Sequence, residues 1–133
     1  MASQTTPRVL VIDDDFELQN LVETLLTSIG IDVIRAGSAA EGAAVLHQTP
    51  LPDMVLLDLM LPDVSGMELL RQMRAKDVFD NLPVVILSAL ADPMEIREGL
   101  EAGADRYITK PYVSSNLTKV VQEVLKNGRR KPS

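Results

Sequence analysis

Four apolar runs in this sequence each end in residues with chemistry to offer. Val9-Leu10-Val11-Ile12 runs into Asp13, Asp14 and Asp15, and Met54-Val55-Leu56-Leu57 runs into Asp58. Val84-Val85-Ile86-Leu87 ends in Ser88, and the shorter Tyr107-Ile108-Thr109 ends in Lys110 and Pro111. If the runs are parallel strands of one sheet, their ends meet in space. The meeting point is then an acidic pocket with one hydroxyl and one ammonium. Such a pocket suits a divalent cation and the transfer of a phosphoryl group onto Asp58.

Each residue also has an ordinary use. An Asp after a strand caps the next helix well, and Asp14 or Asp15 meets that need. Two further acids beside it repel each other unless a cation is present. Hard carboxylate oxygens suit Mg²⁺, which takes one or two carboxylates together with water and phosphate oxygens. Asp58 ends a run of four apolar residues, where a charge is costly unless paired. Ser88 could simply bond at a strand end. Lys110 is a point charge suited to a carboxylate or a phosphate. Their joint order and spacing carry the inference.

The elements that must position them follow from periodicity. Leu18, Leu21, Val22, Leu25, Leu26 and Ile29 recur at spacings of three and four, one face of a helix that Gly30 stops. Asp32–Ala36 reads as a strand. Ser38 with Glu41, and Ser65 with Glu68, have capping-box spacing for two more helices. The first of these packs through Ala40, Ala43, Ala44 and Val45 and ends before Pro50 and Pro52. The second uses Met67, Leu70 and Met73. Asp63 and Pro62 look like loop formers, and Gly66 suits a tight approach after Ser65. Asp92-Pro93 opens a fourth helix with Ile96 and Leu100, stopping at Gly103. A strand near Arg106–Thr109 and a helix with Leu117, Val120, Val121, Val124 and Leu125 complete five β-α repeats. Alternation with short loops implies a single α/β domain, a parallel sheet covered on both faces, with its site outside the carboxyl ends of the strands. His47 reads as a surface residue. Met60, Met67, Met73 and Met94 read as core or loop packing and not as a ligand set, and Leu59-Met60-Leu61 as an apolar stretch partly facing the site.

Composition narrows the function classes. The chain has 133 residues, 46% apolar and 24% charged, ordinary for one globular domain. Aromatics are only 3%, so the core is aliphatic. There is no cysteine, which excludes disulfides and thiolate chemistry, and the one histidine excludes a His cluster. No apolar stretch reaches the ~18 residues of a membrane span. The N-terminus lacks the parts of a signal peptide, so a cytoplasmic location is expected. Net charge is -6, with Lys126, Arg129, Arg130 and Lys131 gathered at the end. Without those four, 9 basic residues face 19 acidic ones, a body of -10. Such a body repels nucleic acid and anionic membrane, so neither is an expected partner.

Taken together, Val-Ile-Asp13-Asp14, Leu-Leu-Asp58-Leu-Met-Leu-Pro62-Asp-Val-Ser-Gly66, Ile-Leu-Ser88-Ala89 and Gly103-Ala-Asp-Arg-Tyr107-Ile-Thr-Lys110-Pro111 resemble a response-regulator receiver domain of two-component signalling. The resemblance runs from Arg8 to Leu125. It implies a doubly wound (βα)5 flavodoxin-like fold with strand order 2-1-3-4-5, a receiver over 8–126, and flexible ends at 1–7 and 127–133, the latter a linker candidate. It implies Asp58 as phosphoacceptor, with Mg²⁺ held by Asp13, Asp14, Asp58 and the Met60 carbonyl. Ser88 then bonds a phosphoryl oxygen, Lys110 pairs with the phosphoryl group, and Tyr107 is a switch that turns inward with Ser88. A cis Lys110-Pro111 bond is expected to aim the lysine. The domain would promote its own Mg²⁺-dependent phosphorylation and dephosphorylation without being an enzyme in the usual sense. Implied partners are a sensor histidine kinase or phosphotransfer protein and a downstream output protein or domain. A phosphorylation-dependent homodimer is compatible with the resemblance, although Arg106 stands where many DNA-binding members carry a second acid.

Two other classes share parts of this pattern. A haloacid-dehalogenase-like phosphatase would use Asp13-x-Asp15, Ser88 and Lys110, but Glu17 departs from its motif and Asp58 is left without a role. A flavodoxin-like FMN binder needs Ser, Thr and Gly after the first strand, where this chain has three acids.

Overall fold

The computed structural model describes residues 6–112 and 114–130. Strands are β1 (Arg8–Ile12), β2 (Asp32–Ala36), β3 (Met54–Leu57), β4 (Val84–Ser88) and β5 (Arg106–Thr109). Helices are α1 (Phe16–Thr27), α2 (Ala39–Leu46), α3 (Gly66–Arg74), α4 (Pro93–Glu101) and α5 (Ser114–Asn127), with a short 3-10 turn at Asp77–Phe79 that periodicity did not predict. All strand pairs are parallel, and the sheet order is β2-β1-β3-β4-β5, as expected. The order reverses between β1 and β3, so their carboxyl ends flank the crevice where such sheets place their sites.

Alternation along the strands divides the core. Leu10, Ile12, Val55, Leu57, Val84 and Ile86 face one side with Met67, Leu70 and Met73 of α3. Val9, Val11, Met54, Leu56, Val85, Leu87 and Ile108 face the other, with Val22 and Leu26 of α1 and Leu117, Val121 and Val124 of α5. The central strands read as continuous apolar runs because helices cover both faces.

The helix starts are locally specified. Asp15 caps α1 by accepting from Leu18 N, Ser38 caps α2 from Glu41 N, Ser65 caps α3 from Glu68 N, and Asp92 caps α4 from Met94 N ahead of Pro93. Neither capping box closes as its spacing suggests. Glu41 reaches back to Gly37 N at 2.9 Å, and Glu68 accepts from Gln72 at 3.2 Å. α1 ends at Thr27, and Gly30 turns the chain at φ 85°. The Lys110-Pro111 bond is cis, as expected, and so is Thr49-Pro50.

Several packing expectations need correction. α2 buries Ala39, Gly42 and Leu46, while Ala40 and Ala44 face outward. So many small residues offer no contrast from which to read the phase. Met67 and Met73 are core, but Met60, in the loop after β3, is 58% exposed, and Met94, in the first turn of α4, is 81% exposed. Residues 127–130, expected to belong to a flexible end, are bonded to the body. Asn127 belongs to α5, and Arg129 and Arg130 are hydrogen-bonded to the body through Asp105. Residues 1–5 and 131–133, also expected to be flexible, lie outside the described residues.

Candidate functional site

Asp13, Asp58, Ser88 and Lys110 each sit at or just past a strand's last rung. Asp13 N donates to Ala36 O at 3.0 Å, Asp58 N to Ile12 O at 2.9 Å, and Lys110 N to Ser88 O at 2.8 Å. The sheet's register therefore carries over into the site. Asp13 and Asp58 are buried, and Asp14 beside them is exposed. Oxygens of Asp13, Asp14 and Asp58, from the ends of two strands, all lie within 4.8 Å of one another. A hard cation fits this donor set of three carboxylates.

Lys110 ties the strands together across the pocket. Its Nζ lies 2.8 Å from Asp13 Oδ2 and 3.2 Å from Asp58 Oδ2. Burial depresses the ammonium pKa, but the Asp13 hydrogen bond and both carboxylate charges outweigh it, and the net shift is upward. Burial also raises the Asp13 pKa, against the pull of Lys110 and of the Asp15 N–H on Oδ1 at 2.9 Å. Asp13 and Asp58 thus share one ammonium.

The β3–α3 loop wraps tightly round Asp58. Met60 N donates to Asp58 Oδ1 at 3.1 Å, and Gly66 N to Leu59 O at 2.9 Å. A Cβ on Gly66 would lie 2.2 Å from the Asp58 carbonyl oxygen, so only glycine admits this approach. Asp63, expected only to form the loop, also caps α2. Its carboxylate accepts from Ala39 N at 3.0 Å and Ala40 N at 2.9 Å, and these two bonds hold its pKa below the ordinary value.

Ser88 and Tyr107 meet on the next strands. Ser88 is fully buried and its Oγ accepts from Leu90 N at 3.3 Å. Tyr107 turns its ring toward Ile86 and Gly99, and its hydroxyl donates to Leu90 O at 2.5 Å. Burial raises the phenol pKa, and the neighbouring Ser88 hydroxyl opposes that rise. A Cβ on Gly99 would lie 2.7 Å from Ile86 Cδ1 and 3.3 Å from the Tyr107 ring, so this glycine makes room for both side chains.

Periodicity alone overlooked Gln19. It sits on the apolar stripe of α1, three residues before Val22, yet it is polar and buried. That mismatch was the available signal. Asp15, which the phosphatase reading requires in the site, instead caps α1 at 3.1 Å from Leu18 N.

Comparison with known proteins agrees with this geometry. Residues 9–122 match the response regulator receiver domain family. The transcriptional regulatory protein AfsQ1 of Streptomyces coelicolor is 36% identical over 124 residues, which are 93% of this chain and 53% of that protein. The chain spans about half the length of the curated relatives it matches. Among solved structures, a putative response regulator from Chloroflexus aurantiacus superposes with a TM-score of 0.87 at 30% identity, covering 92% of this chain and 100% of that one. The receiver domain of the Francisella response regulator 1452 does so with 0.82 at 37% identity, covering 90% and 97%. The chain belongs to the response regulator receiver domain family.

Proposed function

We propose that this receiver accepts a phosphoryl group from a phosphohistidine on Asp58 and passes the signal on through α4, β5 and α5. One observation carries the assignment. Asp58 is the buried carboxylate that shares Lys110 with Asp13 and stands within 4.8 Å of two further acids. In the step, an Asp58 carboxylate oxygen forms a bond to phosphorus as the phosphorus–nitrogen bond of the donor breaks. The electron pair returns to the imidazole nitrogen, and an acyl phosphate remains on Asp58.

This chain's residues supply position and charge, the main sources of catalysis in phosphoryl transfer. Asp13, Asp14, Asp58 and the Met60 carbonyl would hold Mg²⁺, which when bound offsets charge on the phosphoryl oxygens. Lys110 is poised to leave the Asp58 oxygen for a phosphoryl oxygen. Ser88 Oγ donates to another, giving up its bond from Leu90 N. The modification adds about -1.5 to -2 charge. Ser88 and Tyr107 share Leu90 through its N–H and carbonyl, so moving Ser88 changes the setting of the Tyr107 ring. Through this link the switch reaches α4 and β5. The same site promotes Mg²⁺-dependent loss of the phosphoryl group.

The receiver spans residues 8–126 and works in the cytoplasm. Among the described residues no helix is long and apolar enough to cross a membrane. Its partners are a histidine kinase or phosphotransfer protein and an output protein or domain. The acidic body keeps this domain itself off nucleic acid and membrane. A phosphorylated homodimer remains compatible with the surface, although Arg106 is engaged by Glu123 of its own chain at 3.2 Å.

Acetyl phosphate with Mg²⁺ should add one phosphoryl group to the wild type and none to Asp58→Asn, read by intact mass. Equal labelling of the two proteins would sink the assignment.

A further inference from the structure

Gln19 lies on the buried face of α1 with Val22 and Leu26, and is 6% exposed. An amide there costs free energy unless its donors and acceptor are met. Nε2 donates to the Asp13 carbonyl at 2.7 Å and to the Ala36 carbonyl at 2.8 Å. Oε1 accepts from Arg35 Nε at 3.2 Å. The side chain thus reaches from a helix across the exits of two strands.

The bonds converge on Asp13. Its N–H is taken by the Ala36 carbonyl at 3.0 Å, and its own carbonyl by Gln19. The β1–β2 ladder ends at Ile12 and Ala36, one residue earlier. Beyond that rung, the Asp13 carbonyl is held by a side chain. With both main-chain groups held, the Cα–Cβ direction is fixed, and with it the placing of the carboxylate.

Arg35 is itself held in place. Its Nη1 donates to Asn20 Oδ1 at 2.7 Å and pairs with Glu23 at 3.0 Å, and its guanidinium lies 4.8 Å over the Phe16 ring. A chain of bonds therefore runs from the β2 edge through Arg35 and Gln19 to Asp13. An apolar residue would serve the core equally well at this position, so packing does not account for the amide.

We propose that Gln19 is a positioning residue for the cation site. It sets the Asp13 main chain so that the carboxylate faces Asp14 and Asp58, and Arg35 holds Gln19 in that pose. The proposal rests on the reading of Asp13, Asp14 and Asp58 as the Mg²⁺ site. Partners that orient a metal ligand are typically worth 10–100-fold in metal affinity.

The test is Mg²⁺ titration by calorimetry on wild type, Gln19→Met and Arg35→Met, well below their melting transitions, with melting followed separately without Mg²⁺. Methionine keeps the volume and removes both donors. Gln19→Met should weaken Mg²⁺ binding about 10–100-fold, and Arg35→Met should weaken it by less. A Gln19→Met protein that melts lower yet binds Mg²⁺ like the wild type would show only a structural role and overturn the proposal. If Gln19→Met does not fold, Arg35→Met decides, and wild-type affinity there overturns it equally. A wild type that binds no Mg²⁺ overturns the cation reading and this proposal together. Normal binding in wild type and Gln19→Met alike leaves that reading intact.

Discussion

The two ends of the sheet bury charge in opposite ways. At the carboxyl end, Asp13 and Asp58 share the ammonium of Lys110, with Asp14 beside them. At the amino end of β4 and β5, one carboxylate has more partners than it needs. Asp105 is 2% exposed and accepts from Val84 N at 2.9 Å, Arg130 N at 2.7 Å, Arg129 Nε at 3.1 Å and Arg74 Nη2 at 3.4 Å. The arginines spend their other donors on the carbonyls of Gly103, Phe79 and Asp80. Burial, then the charge of Arg129, lowers the Arg74 pKa to about 10, still charged at neutral pH. One end is saturated and structural. The other has unmet negative charge, which a bound cation can offset.

Removing one carboxylate from each end should separate them most clearly. Asp105→Ala leaves buried guanidinium charge unpaired, a loss of about 3–5 kcal/mol for buried pairs. The lower end of that range is expected, because Arg129 is 30% exposed. Asp58→Ala relieves repulsion while Lys110 keeps Asp13, so without Mg²⁺ its stability should match or exceed the wild type. Urea denaturation of both variants checks this. Equal losses would mean that the acidic end is as saturated as the basic one.

Mg²⁺ should tell the ends apart by a smaller amount. At about 100 times its dissociation constant it adds about 2.7 kcal/mol. Asp14→Ala should erase that increment. Asp105→Ala should keep it whole, since the clusters are at opposite ends of the sheet and share no partner. A melting temperature indifferent to Mg²⁺ in the wild type would count against the site.

How far each end could be read from sequence follows from the same physics. The carboxyl end was legible because four strand-like runs stop at chemically distinctive residues, and parallel topology brings such ends together. The strand order was implied by the resemblance to a receiver domain, whereas β2 and β5 were equally open to reading. The basic end was not. Arg74 ends α3, Asp105 precedes β5 and Arg129 follows α5, and each taken alone looks like a solvated surface charge. Gln19 and Asp63 escaped for another reason. Their work is to bond main-chain groups of residues 17 and 24 positions away, and periodicity carries no sign of that. The phase of α2 was hidden by its run of small residues.

Asp63 offers the smallest and sharpest check. It lies on the loop after Asp58, close in sequence to the acidic cluster, yet it is satisfied by two main-chain N–H groups. If it behaves as those bonds imply, unmet charge belongs to the cluster and not to every acid of that loop. The bonds from Ala40 and Ala39 hold its folded pKa below the ordinary 3.8. A depressed carboxyl pKa gives stability that is present above the unfolded value and lost as pH falls through the folded one. Wild type should therefore exceed Asp63→Asn in stability by a constant margin from neutral pH down to about pH 5. Below that the margin should close, because protonated Asp63 becomes the neutral equivalent of the variant. Melting temperatures of the pair across that range give the answer. A margin that does not change with pH would mean that the Asp63 charge contributes nothing at the α2 terminus, and that its two bonds are no stronger than an amide would make.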